Sequence, residues 1–222
     1  MFVVIFEVEP RPDRTGEYLK LARHLTPMVE AIDGFLEVER FASRRTEGKL
    51  LSLSSWRDEQ ALVRWRTHAE HRRVQTRGRK AVFEDYRLRV GEIVTDSERP
   101  SGIRQTASDG IEIAAAQQVT ITELMPDPKS VAAPDTPSSP PALDPETAGL
   151  ADREVFASIY TPGKLVLLAS WRDAAAARAW RPPSAEGMRH RQVRIVRDYG
   201  MFERREAPQH FRGARPNPLP PL

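Results

Sequence analysis

The 222-residue sequence predicts an α+β fold made of two ferredoxin-like (β-α-β-β-α-β) repeats, of which the second is degenerate. Three observations lead to this prediction. Short segments recur in the same order about 115 residues apart, and the first copy alternates strand-like with helix-like hydrophobic patterns. Prolines also crowd the place where the second copy would need its first helix, and proline is excluded from helix interiors.

Internal repetition is the strongest of these signals. Strand-like and tryptophan-containing segments of the first half each have a counterpart in the second half. The matched pairs are Val3–Val8 with Val119–Leu124, Leu50–Asp58 with Leu165–Asp173, Trp65-Arg66 with Trp180-Arg181, and Asp85-Tyr86 with Asp198-Tyr199. Because four matches in one order are hard to obtain by chance, we interpret the chain as a tandem duplication.

The first copy begins with a strand, a helix and a hairpin. Phe2–Val8 alternates β-branched and aromatic residues, which predicts a strand. Asp13–Ile32 has apolar residues at helical spacing and ends at Asp33-Gly34, a helix stop. Phe35–Ala42 and Lys49–Trp56 alternate again around a glycine-containing turn, which predicts a β-hairpin.

A second helix and a last strand complete the first copy. Asp58 is a candidate N-cap for a helix that contains Leu62, Trp65 and Val74. Ala81–Val94 alternates once more and predicts the closing strand. Helices pack on one face of such an antiparallel sheet, so the other face must be buried against another part of the protein.

The second copy keeps its strands and loses helical sequence. The proline-rich run replaces its first helix, and Pro182-Pro183 interrupts its second helix after Trp180. We therefore expect it to be a packing partner rather than a second active unit. The expected domains are residues 1–95 and 117–207, with a linker at 96–116, a proline-rich insertion at 126–145 and a proline-rich tail at 208–222.

Composition excludes several classes of function. The chain has no cysteine, which excludes disulfide frameworks, thiolate zinc sites and cysteine nucleophiles. A net charge of +3 and the absence of known motifs argue against nucleic acid and nucleotide partners. The absence of cysteine also points to a cytoplasmic protein. No apolar run is long enough for a membrane span. We interpret the basic stretch Arg64–Lys80 as a solvated helix face.

The residues of the first copy resemble a known family. The resemblance rests on SxxSWRDExA at Ser52–Ala61, on Trp65, on His68-Ala-Glu-His71 with Gln75, and on Phe83–Tyr86. This series is similar to the antibiotic biosynthesis monooxygenase family of the dimeric α+β barrel superfamily, over residues 2–94 and more loosely over 117–206. In that family two sheets pack face to face, which implies here a pseudo-dimeric α+β barrel within one chain. A further homodimer stays open.

The resemblance implies a cofactor-independent monooxygenase that oxidises an aromatic or quinol-like small molecule. Such chemistry requires a base that deprotonates the substrate and a dry pocket in which the anion meets oxygen. We assign His71 and Tyr86 as the proton-handling catalytic residues. The expected substrate-binding residues are Trp65, His68, Phe35, Phe83 and Gln75. His68 and His71 lack a third ligand, so no metal is expected.

Heme is the first alternative. Heme-degrading relatives have a strand-one asparagine, a helix tryptophan and a histidine ten residues later. The first copy has Gln75 at that spacing from Trp65, whereas the second copy has His190 at that spacing from Trp180. His190 is thus a cofactor ligand only if heme binds. The other alternative is a non-catalytic small-molecule-binding or structural protein, and a cavity of roughly 300 Å³ or more would favour a ligand site.

Overall fold

A computed structural model describes residues 1–99, 118–125, 143–182 and 186–207. The first repeat follows the predicted order of strands and helices, with its second helix divided in two at His68, whose extended ψ of 127° ends the first helical run. Asp58 caps this helix, its carboxylate accepting from the Ala61 N–H at 2.8 Å. The elements are β1 (Phe2–Pro10), α1 (Thr15–Glu30), β2 (Phe35–Ser43), β3 (Leu50–Trp56), α2 (Glu59–Thr67), α3 (Ala69–Arg77), a π-helical turn (Gly78–Val82) and β4 (Phe83–Asp96).

The second repeat has the same four strands and one short helix among the described residues. Its elements are β5 (Gln118–Leu124), β6 (Leu150–Ser158), β7 (Leu165–Trp171), α4 (Ala174–Ala179) and β8 (Met188–Gly200). The helix ends at Trp180, just before Pro182. Most of the predicted linker and insertion, Pro183 and the whole tail lie outside the described residues.

The eight strands form a closed antiparallel barrel in the order β1-β3-β2-β6-β7-β5-β8-β4. Each repeat contributes four consecutive strands, and the two sets join at β2–β6 and at β4–β8. The predicted face-to-face packing of two sheets is therefore confirmed. The edges are also hydrogen-bonded, so neither repeat exposes an unpaired edge strand.

The barrel interior holds an apolar core shared by both repeats. Strand side chains alternate between the two faces of a sheet, so every second residue points inward. The inward apolar residues are Val3, Ile5, Phe41, Leu51, Leu53 and Ile93 from the first repeat and Val119, Ile121, Phe156, Val166, Leu168, Val193 and Ile195 from the second. These side chains cover the sheet face that the helices leave open.

Two buried ion-pair clusters, which we call the barrel clusters, flank this core. In the first, Arg89 donates to Glu7 at 2.5 Å and to Ser170 of the other repeat at 2.9 Å. Lys49 contacts Glu7 at 2.9 Å and Glu154 of the other repeat at 2.7 Å. Burial would raise the pKa of Glu7, but Arg89 and Lys49 together lower it below its usual value.

The second barrel cluster repeats the first with the roles of the repeats exchanged. Arg191 donates to Glu123 and, at 3.0 Å, to Ser55 of the first repeat. Lys164 contacts Glu123 at 2.9 Å and Glu39 of the first repeat at 2.5 Å. Each cluster therefore needs side chains from both repeats to pair its buried charges.

The sequence match of Asp85-Tyr86 with Asp198-Tyr199 is wrong, because the two segments do not occupy equivalent positions in the two repeats. Tyr86 pairs with Val8, whereas Met188 pairs with Leu124, the counterpart of Val8. The true counterpart of Tyr86 is therefore Met188, and Asp198-Tyr199 lies at the far end of β8. The reason is that the second repeat has no elements equivalent to α3 and the π-helical turn among the described residues, so its last strand starts sooner after the helix.

In the described part of the chain, no helix combines the length and the apolar character that crossing a membrane requires.

We predict that Arg89→Met lowers the free energy of unfolding by about 3–5 kcal/mol, because it removes one of the two cations that pair with the buried Glu7 carboxylate at under 3 Å. Arg191→Met should cost a similar amount, since the second cluster has the same contacts. Urea unfolding followed by circular dichroism measures both. Arg73→Met, which removes an exposed pair with Glu70 on α3, is the control and should leave the midpoint unchanged. Wild-type stability of Arg89→Met would contradict the role assigned to the cluster.

Candidate active site

A cavity of about 470 Å³ lies between the outer face of the first-repeat sheet and helices α1–α3. Its floor is formed by outward-facing residues of β1, β3 and β4, such as Val4, Phe6 and Leu88. Residues of α1, including Leu21, Leu25 and Val29, form one wall. The volume exceeds the roughly 300 Å³ expected of a small-molecule site.

Five of the seven residues expected at the site line this cavity: Trp65, His71, Gln75, Phe83 and Tyr86. Phe35 and His68 do not. Phe35 packs edge-on against Trp56 at a ring distance of 5.3 Å. His68 lies at the junction of α2 and α3, with its ring 5.6 Å from that of Trp65.

The break between α2 and α3 brings Trp65 and His71 together. Their rings stack at a centroid distance of 4.2 Å and an interplanar angle of 12°. His71 Nδ1 lies 2.9 Å from the Trp65 carbonyl oxygen. Because a carbonyl only accepts hydrogen bonds, Nδ1 carries the ring proton and Nε2 is left with the lone pair.

His71 is uncharged at neutral pH. Burial lowers its pKa to about 4, with a smaller contribution from the charge on His68, while the bond to the Trp65 carbonyl opposes the shift. A neutral imidazole with a fixed tautomer can accept a proton at Nε2, and its lowered pKa makes it a weak base that stays unprotonated at neutral pH.

Tyr86 lies on β4 within an aromatic cluster. Its ring centroid is 5.6 Å from that of Phe6 and 6.0 Å from that of Phe83. Its hydroxyl oxygen accepts from Arg204 Nη1 at 2.5 Å. The arginine therefore uses the oxygen lone pair and leaves the phenolic proton available for donation.

The second repeat supplies one wall of the cavity. β8 pairs with β4 such that Arg197 lies opposite Val90 and Tyr199 opposite Leu88. Arg197, Tyr199 and Arg204 consequently line the cavity. None of the three was predicted from the sequence. The Asp198-Tyr199 match was the available signal, because this segment lies beside β4 and is not the copy of Asp85-Tyr86.

Arginine is the other feature that the sequence analysis missed. Six arginines line the cavity, namely Arg40, Arg66, Arg72, Arg79, Arg197 and Arg204, against one acidic residue, Glu59, in the described part of the chain. Three of them come from the basic stretch Arg64–Lys80. The solvated-face interpretation holds for Arg64, Arg73 and Arg77, which pair with acidic residues at the surface.

His190 lies away from this cavity, on the outer face of the second repeat. Its Nδ1 is 2.8 Å from the Thr122 hydroxyl, and its ring is 5.3 Å from that of Trp180. Burial lowers its pKa to about 4, with the charge of Arg181 adding to the shift. Because His190 does not line the cavity, the geometry gives no support to a heme held there by this residue. Within the described residues, no group of three or more His, Cys, Asp or Glu is placed to hold a metal ion.

Comparisons with known proteins give consistent results. Residues 1–77 match the family model described as antibiotic biosynthesis monooxygenase. The jasmonate monooxygenase ABM of Pyricularia oryzae is 38% identical over 219 residues, which cover 95% of this chain and 98% of that protein. The uncharacterized protein YqjZ of Bacillus subtilis is 30% identical over 92 residues, covering 41% of this chain and 78% of that protein.

Solved structures are also similar to the chain. The crystal structure of an antibiotic biosynthesis monooxygenase has 19% sequence identity and a TM-score of 0.39, covering 43% of this chain and 100% of its own. That of an anthrone oxidase-like protein has 18% identity and a TM-score of 0.34, covering 93% of this chain and 95% of its own.

We predict that the free energy of unfolding rises as pH increases from about 4 to 6.5. The pKa of both His71 and His190 is about 4 in the folded chain, against about 6.5 when unfolded, so the unfolded chain binds more protons in this window. Each histidine contributes at most about 1.4 kcal/mol per pH unit. Urea unfolding between pH 5 and 7 measures the slope above the range in which most carboxyl groups titrate.

The variants for this test are His71→Asn and His190→Asn, alone and together. Asparagine at position 71 keeps an N–H that can reach the Trp65 carbonyl but does not titrate. His24→Asn, at an exposed position of α1, is the control for the loss of a histidine elsewhere. An unchanged slope in the double variant would show that the two histidines are not the source.

Proposed function

Because the chain belongs to the antibiotic biosynthesis monooxygenase family, we propose that it oxidises a small molecule with dioxygen in the cavity of the first repeat, without a bound cofactor. The observation that carries this proposal is the meeting of Trp65, His71 and Tyr86 in a cavity of about 470 Å³ with an apolar floor. Such a cavity fits a ligand of drug-like size, and a ligand that fills it displaces water from around the reacting atoms.

His71 is the base in this proposal. Its neutral ring and its Nδ1–H bond to the Trp65 carbonyl support proton removal by Nε2. Tyr86 is the hydrogen-bond donor to the oxygen atom on which the negative charge of the substrate develops. Arg204 supports this role because it donates to the Tyr86 hydroxyl oxygen and leaves the phenolic proton for the substrate.

The reaction balances without an outside reductant when the substrate has an activated methylene group. His71 removes one proton, the carbanion transfers electrons to dioxygen, and a C–O bond forms to a peroxide. Loss of water then leaves a carbonyl, so that a methylene compound and dioxygen give a ketone and water in equal amounts. The substrate supplies all the electrons, and the protein supplies the base, the hydrogen bond and the dry site.

The substrate class rests on two lines of support. The aromatic lining favours an aromatic or quinol-like molecule. The relative from Pyricularia oryzae has jasmonate in its name, which makes that cyclopentanone acid a second candidate. Hydroxylation of an unactivated C–H bond in such a molecule also requires a two-electron donor, such as a reduced nicotinamide or ascorbate. One oxygen atom enters the product, and the donor supplies the electrons that reduce the other oxygen atom to water.

The direct experiment is oxygen uptake by the full chain with a panel of anthrone, hydroquinones and jasmonate, each with and without an added two-electron donor. With dioxygen labelled with oxygen-18, mass spectrometry should find one heavy atom in the product. Incorporation without a donor supports oxidation of an activated methylene group. A product with no heavy atom from any member of the panel would contradict the proposed monooxygenase function.

We predict that His71→Asn lowers kcat by about 10²- to 10⁴-fold with a small effect on KM, because it removes the base and keeps the fold of the helix junction. His190→Asn is the matched control, since His190 is also buried with a pKa of about 4 but lies outside the cavity. For a neutral substrate, kcat/KM should stay flat from pH 8 to 5.5, because the pKa of His71 is about 4. Equal losses in the two variants would contradict His71 as the base.

A further inference from the structure

A group of three arginines lies at one end of the cavity, and we call Arg66, Arg197 and Arg204 the arginine cluster. All three line the cavity, and all three act electrostatically on Tyr199, which lies among them. Arg204 donates to the Tyr86 hydroxyl at 2.5 Å, and Arg197 Nη2 is 3.8 Å from Glu59 Oε1. The cluster thus combines two phenols and one carboxylate with three positive charges.

Arg66 differs from the other two members of the cluster in its contacts. Arg66 is half-buried and has no hydrogen bond or ion pair with any described residue. Burial and the nearby charge of Arg197 lower its pKa, while Tyr199 and Glu59 oppose the shift. Two like charges in a partly desolvated site repel each other, and an anion between them would relieve that repulsion.

Strand register fixes the position of the cluster on the cavity floor. Tyr199 pairs with Leu88, Leu88 with Phe6, Phe6 with Ser52, and Ser52 with Arg40, which gives one row across five strands. At about 4.8 Å per strand, Tyr199 and Arg40 lie roughly 19 Å apart at opposite ends of this row. Between them lie the apolar pair Leu88 and Phe6, nearer Tyr199, and Ser52, nearer Arg40.

We propose that the arginine cluster is a carboxylate-binding subsite, and that the substrate is therefore an apolar monocarboxylic acid. The carboxylate lies against Arg66 and Arg197, and the apolar body extends over Leu88 and Phe6 beneath Trp65. A planar guanidinium matches a carboxylate with two parallel hydrogen bonds, which suits a single acidic group better than a phenol. This inference rests on the proposed function for the identification of the cavity as the substrate site.

The two repeats therefore contribute different residues to the proposed site. The first repeat contributes the aromatic cavity and the base, whereas Arg197 and Arg204 come from the second repeat. The second repeat is therefore a source of substrate-binding residues in addition to a packing partner.

Isothermal titration calorimetry of the full chain tests the subsite without turnover. The probes are jasmonate and 1-naphthaleneacetate, each compared with its methyl ester, which has the same body and no charge. We expect each acid to bind about tenfold or more tightly than its ester, with the preference weakening in high salt. Arg66→Gln and Arg197→Gln should each weaken acid binding about tenfold and leave ester binding within about threefold.

Arg40→Gln is the matched control, because Arg40 also lines the cavity and has a buried Nε without a hydrogen-bond partner among the described residues, but lies at the other end of the row. It should keep the preference for the acid. Four results would overturn the subsite: no binding of either acid, equal binding of acid and ester, equal losses of both in Arg66→Gln, or loss of the preference in Arg40→Gln instead.

The outcome separates the subsite from the proposed function. Arg66-dependent acid binding with no oxygen uptake on any substrate would leave the subsite standing and overturn the oxygenase. Oxygen uptake with a neutral hydroquinone and no preference for acids would leave the oxygenase standing and overturn the subsite.

Discussion

The lysine–glutamate contacts that cross between the repeats inside the barrel constrain the rest of the molecule. Lys49 is paired with Glu7 of its own repeat and with Glu154 of the other, and Lys164 has the mirrored pair of contacts. A buried charge without its partner is costly, so neither repeat can bury these groups alone. Joint folding closes the barrel, and closure places β8 beside β4, where it becomes a wall of the cavity.

The fold could be predicted because its signals are local and repeated. Alternation over Phe2–Val8, the hairpin turn and the Asp58 cap each specify one element, and the recurrence of the tryptophan segment shows that the elements occur twice. The cavity depends instead on where helices break and which strands become neighbours. The extended ψ at His68 breaks the helix and allows the ring of His71 to stack on that of Trp65. The hydrophobic periodicity of the sequence does not reveal this break.

Charged residues were the least predictable part of the site. Arg64 and Arg66 are two positions apart on the same helix, yet one pairs with Asp33 at the surface and the other lines the cavity. Helix spacing separates two such faces, but the sequence does not state which face a ligand cavity takes. The position of Arg197 at the cavity follows from the pairing of β8 with β4. That pairing is a contact between the repeats, which the pattern of a single repeat does not show.

The pairing of β4 with β8 also explains what a fused pair of repeats gains over a homodimer. The pseudo-twofold axis relates Arg197 to Thr95, which pairs with Gln192. It relates Tyr199 to Ser97, which accepts a hydrogen bond from the His190 N–H. A symmetric dimer must present identical residues at both of its equivalent junctions. Fusion removes that restriction. One junction can therefore place arginine and tyrosine where the other has threonine and serine, and the cavity can change without an equal change at the other junction.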